Sequence, residues 1–126
     1  MTKGEVVQSF SFFEDRVIYY AQYFGLLHKR VDVSFEATEE PGNAATCMNG
    51  EAQIVNITLN SVWIKEGNPD KLTLDKVAFH EIMEALLMEL RLFSMEAVSE
   101  ACVDDEVHRI IRTLENAVWP MIRWHK

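Results

Sequence analysis

A chain of 126 residues with 48% hydrophobic side chains is long enough for one domain with a real core and too apolar for disorder. Its net charge of −8 argues against nucleic acid or an anionic membrane as the main partner. No apolar run approaches the ~20 residues of a membrane span, and no basic flank precedes an apolar stretch at the N-terminus, so the expectation is a cytoplasmic protein. Cys47 and Cys102 make no disulfide framework and read as free thiols, small and buried.

The first helix is expected to start at Ser11, where Ser11-Phe12-Phe13-Glu14 fits a capping box. Its core stripe is Phe13, Val17, Tyr20, Phe24 and Leu27, extended backwards by Phe10, with Phe12, Tyr19, Tyr23 and Leu26 as a second row. Gly25 weakens its last turn. Val31, Val33, Phe35 and Ala37 then alternate with Asp32, Ser34 and Glu36, the period of a strand with one wet face. Pro41-Gly42-Asn43 is a turn. The segments AATCM and EAQIVNITLN follow, joined by Asn49-Gly50, a strong hairpin signal. In the longer one Val55, Ile57 and Leu59 share a face, opposite Ile54, Asn56 and Thr58. These pieces predict a small antiparallel sheet of about three strands.

SVWIKEGNPDKL reads as a loop, after which Thr73 caps a helix running to Phe93, with Asp75 placed for the helix dipole. That helix is apolar over most of its circumference and must be buried. A last helix, about Ala101 to Val118, carries the stripe Val103, Val107, Ile110, Ile111, Leu114 and Val118. Pro120 stops or kinks it, and Arg123 to Lys126 read as a frayed end. The fold class predicted is α+β: residues 1–126 as one domain, the sheet packed with an N-terminal helix, the central helix and a C-terminal helix.

The central helix also carries His80, Glu81 and Glu84. His80 and Glu84 lie one turn apart on one face, and buried charges are costly unless paired or bound to metal. They make an ordinary helix pair, which Arg91 could extend by bridging to Glu84, or they make two metal ligands. His80-Glu81-Ile82-Met83-Glu84 is one residue away from H-E-x-x-H, in which two ligands grip zinc and the intervening Glu is the general base. A carboxylate binds zinc at nearly the same distance as an imidazole, so Glu84 is chemically admissible.

With YFGLL at 23–27, FHEIMEALL at 79–87 and VHRIIRTLEN at 107–116, the chain resembles small zincin-like metallopeptidases, the compact ones encoded by bacteriophages. The resemblance implies a zinc-dependent hydrolase acting on a peptide or protein substrate. It makes His80 and Glu84 metal ligands and Glu81 the base, and it places an edge strand for the substrate within Glu51 to Asn60. Catalytic zinc needs a third protein ligand. The last helix offers Cys102, Asp104, Asp105, Glu106 and His108. His108 is preferred over Glu106, because two carboxylates would leave the zinc formally neutral and weaken its Lewis acidity. Glu106 is then a partner that orients a ligand. The alternative is a pseudo-zincin without catalysis, acting as a protein-binding module.

Overall fold

The computed structural model describes residues 2–26, 29–38, 42–49, 54–95 and 97–123, without the side chains of Asn49, Glu89, Leu92 and Phe93. The chain is α+β in the order α1 (Lys3–Tyr23), β1 (Arg30–Glu36), β2 (Ala44–Asn49), β3 (Ile54–Asn60), α2 (Ser61–Gly67), α3 (Lys71–Ser94), α4 (Glu100–Ala117) and α5 (Trp119–Ile122). Among the described residues, no helix is long and apolar enough to cross a membrane.

Helix α1 begins eight residues before Ser11, which lies inside it. Thr2-x-x-Glu5 offers the same capping pattern, and the Thr2 hydroxyl accepts from the Glu5 amide at 3.1 Å. The helix stops at Tyr23 because Gly25 follows with φ +73°, a left-handed conformation that a side chain would strain. The expected stripe is real: Phe13, Val17 and Tyr20 are fully buried. Leu27 lies outside the described residues, as do Pro41, Gly50 and the tail 124–126.

The sheet has the order β1-β3-β2 and is mixed. β2 pairs antiparallel with β3, as a hairpin requires, from Ala44↔Leu59 to Asn49↔Ile54. β1 pairs parallel with β3, in register from Arg30↔Ile54 to Glu36↔Asn60, where an antiparallel partner was expected. Because β2 already holds one edge of β3, β1 takes the other. The strand expected at the edge is therefore the centre. Val55, Ile57 and Leu59 of β3 are fully buried on one face while Asn56 is exposed on the other, and β2 is the edge nearer α3.

The segment read as a loop holds α2, capped by the Asn60 side chain at the Val62 amide (3.1 Å) and ended by Asn68 at φ 43°. It is too short to show a periodic pattern. Asp70 rather than Thr73 caps α3, accepting from the Thr73 amide at 2.8 Å. Helix α3 crosses the core with Leu74, Ala78, Phe79, Ile82 and Met83 buried, and α4 packs Val103, Val107 and Ile111 against it. Ser99 caps α4 at the Cys102 amide. Pro120 opens α5 instead of ending the order, and Trp119 and Ile122 are buried. Both cysteines are free, and they are exposed rather than buried.

Asp75 does not face the solvent near a helix end. It is buried and joins three elements: Arg16 Nε of α1 donates to Oδ1, while Tyr20 Oη (2.7 Å) and Trp119 Nε1 (3.0 Å) donate to Oδ2. Arg16 Nη2 also donates to the Arg123 carbonyl at 2.7 Å, so the chain end expected to fray is held as far as that residue. Burial and the Asp75 carboxylate push the Tyr20 phenol above its usual range.

Candidate metal centre

Helix geometry brings His80 and Glu84 together on α3, and the packing of α4 brings His108 to them. His80 Nε2 lies 3.5 Å from Glu84 Oε1, and His108 Nε2 lies 3.2 Å from the same oxygen. Each of the three offers a ligand atom within 4.8 Å of the others. Two ligands held tetrahedrally at zinc distances of about 2.0–2.1 Å lie roughly 3.3 Å apart, so both measured edges suit a metal between them. The two imidazoles are nearly parallel, with ring centroids 6.3 Å apart.

The far side of each candidate ligand is also held. Glu115 Oε1 lies 3.3 Å from His80 Nδ1, and the Asp104 carbonyl lies 2.9 Å from His108 Nδ1. Both partners accept, so Nδ1 of each ring donates and Nε2 of each is turned to the shared centre. Arg91 Nη2 lies 3.1 Å from Glu84 Oε2, leaving Oε1 for that centre, and 3.3 Å from Asp104 Oδ1. Arg91 thus spans both helices, as a bridge to Glu84 required. It also gives a reason for the departure from H-E-x-x-H. An imidazole at position 84 would leave a largely buried guanidinium without this carboxylate.

Without metal these groups pair among themselves. Hydrogen bonds to Glu115 and Glu84, only partly offset by burial, raise the His80 imidazole to about 10. Burial would raise Glu84, but the bond to His80 and the charges of Arg91 and His108 outweigh it and hold the carboxyl below its ordinary value.

Glu81 points elsewhere, into the sheet side. It is 6% exposed, and burial raises its carboxyl above the ordinary value, opposed by a hydrogen bond from the Thr46 hydroxyl of β2 and by the nearby His80. A cleft of about 380 Å³ opens beside it, lined by Asn43 and Ala44 at the start of β2, by Lys76, His80 and Glu81 of α3, and by Glu115. A titratable carboxyl at the wall of such a cleft suits a proton acceptor.

Glu106 is not at the centre. It is exposed and paired with Arg109, whose Nε lies 2.9 Å from its Oε1, so the ligand-orienting role expected of it falls to Glu115 instead. Position explains the exchange: Glu115 lies two turns beyond His108 on the same face, whereas Glu106 lies two residues back and across the helix. Cys102 is exposed near the opening of α4, while Asp104 is outside the ligand set, its backbone carbonyl holding His108 Nδ1 and its carboxylate lying beside Arg91. Thr46 carries no local signal in the sequence, because only the β2–β3 register sets its place beside α3. Compared with protein-family models, curated proteins and solved structures, the chain finds no significant match.

Proposed function

We propose that this protein is a zinc-dependent peptidase with His80, Glu84 and His108 as its metal ligands. The observation that carries the reading is the convergence of three ligand atoms on one point, each with its other polar atom held from behind. The donor set of two imidazoles and one carboxylate is one that catalytic zinc uses. Bound there, zinc supplies Lewis acidity toward a carbonyl and lowers the pKa of water to about 7. Glu81 accepts the proton of the attacking water and passes it to the leaving amine. The outer edge of β2, beside Glu81, carries no further strand among the described residues and suits an extended peptide.

The experiment is cleavage of a peptide library by the zinc-loaded protein, with Glu81→Gln beside it. The amide keeps the shape and cannot take the proton, so cleavage should fall roughly a hundred- to ten-thousand-fold with zinc affinity nearly intact. Equal cleavage by both proteins would remove Glu81 from the role. A second reading, a binding module without turnover, draws on the engagement of Glu81 by Thr46. It requires that the zinc-loaded protein cleave no peptide while still binding one.

Proton and metal compete for His80, which gives the pH dependence its sign. In the metal-free protein the His80 pKa stands near 10 against an ordinary 6.5. Its contribution to stability is therefore complete below about pH 6.5 and lost as pH rises through about 10. Zinc needs the neutral ring, so its affinity should rise about tenfold per pH unit on the way to 10, with a proton released from His80 as zinc binds. Calorimetric titrations in buffers of different ionisation enthalpy measure that proton. A zinc affinity flat between pH 6.5 and 8.5 would contradict the assignment of His80.

A further inference from the structure

A second cavity, larger than the cleft at His80, shares no lining residue with it. It holds about 490 Å³ and lies between α1, the start of α3 and the end of α5, with the Phe12 ring and Leu72 as apolar walls. Arg16 forms its floor and is only 9% exposed. The Nε and Nη2 of that guanidinium are taken by Asp75, Tyr20 and the Arg123 carbonyl. Nη1 has no hydrogen-bond partner among the described residues, and Arg16 lines the cavity.

Two more cations stand at the rim. Lys71 Nζ lies 5.5 Å from the centre of the Phe12 ring, and the Arg123 guanidinium lies 4.8 Å from that of Trp119. Opposing them are Asp15, which is exposed, and Asp75, whose oxygens are already engaged by Arg16, Tyr20 and Trp119. The remaining Nη1 donor suits one oxygen of a carboxylate or phosphate, and the Phe12 and Leu72 walls suit an apolar body behind it. Leu72, 44% exposed, would lose water contact under such a ligand.

We propose that this cavity is a second binding site, for a small organic anion whose carboxylate or phosphate meets Arg16 Nη1 and Lys71 while its apolar part covers Phe12 and Leu72. The inference stands apart from the metal centre, so the metal-free chain of 126 residues serves for its test.

Backbone and Arg16 Nε resonances are followed by NMR while phenylacetate, phenyl phosphate, 2-phenylethanol and phenethylamine are titrated in turn. The expected result is saturable shifts at Phe12, Arg16 and Leu72 with at least one anion, and none of comparable affinity with the alcohol or the amine. A preference for one anion over the other names the headgroup. Lys71→Glu changes an exposed residue at the rim, avoids the buried network, and should weaken anion binding about tenfold or more, the worth of one charge-assisted contact. Equal binding of amine and anion, no saturable shift with either anion, or undiminished binding by a folded Lys71→Glu variant would each overturn the proposal.

Discussion

Zinc added to the metal-free protein is expected to raise its melting temperature, and His80→Ala or His108→Ala is expected to abolish the rise. A ligand that binds only the native state stabilises by about 2.7 kcal/mol at a hundred times its dissociation constant. For a chain of this length that amounts to roughly 10 °C. Each imidazole supplies one of three ligand atoms, whereas changes to mere supporting partners already cost about 10- to 100-fold in metal affinity. Glu106→Ala is the control, since that carboxylate pairs with Arg109 in solvent and should leave the shift unchanged. Glu115→Ala should fall between, because it frees the ring of His80 without removing a ligand. Differential scanning calorimetry of the five proteins over a zinc series measures all of this. A melting curve that zinc does not move in wild type would leave an ion-paired cluster and nothing more.

Asp75→Ala should destabilise the fold by about 3–5 kcal/mol, the cost of removing one partner of a buried ion pair. The change strands the Arg16 guanidinium and leaves the Tyr20 and Trp119 donors without their acceptor, in the contact that joins α1, α3 and α5. Asp70→Ala gives the scale, as the loss of an exposed cap on the same helix, with a much smaller cost. Urea unfolding of both variants separates the two. If Asp75→Ala costs no more than Asp70→Ala, the network does not hold the elements together.

Local signals made much of the fold legible. Alternation in β3 put Val55, Ile57 and Leu59 on the buried face, and the apolar girth of α3 put it at the centre. What sequence left open was relational. A strand's pattern says which face is wet but not which neighbour it meets, so the parallel pairing of β1 and the central place of β3 were out of reach. Capping patterns recur: Ser11 offers one by sequence, and Thr2 is the one that serves. At the site, the four-residue spacing within α3 placed His80 and Glu84 together, and ligand chemistry favoured His108 over Glu106. The bridge from Arg91 to Glu84 was legible within α3, but its reach to Asp104 and the roles of Glu115 and Thr46 needed the packing of two helices and a strand, because those partners lie on other elements. Asp75 looked like a dipole partner because nothing in its neighbourhood announces Arg16, which lies 59 residues away.

Zinc-edge X-ray absorption of protein loaded with one zinc per chain addresses the central claim most directly. His80, Glu84 and His108 as ligands require a shell of nitrogen and oxygen at about 2.0–2.1 Å, with the outer scattering of two imidazoles and no sulfur. In His108→Ala the imidazole scattering should fall by half in whatever zinc remains bound. A sulfur shell at about 2.3 Å would place the metal on Cys47 or Cys102, and imidazole scattering unchanged in His108→Ala would put it elsewhere; either result contradicts the site.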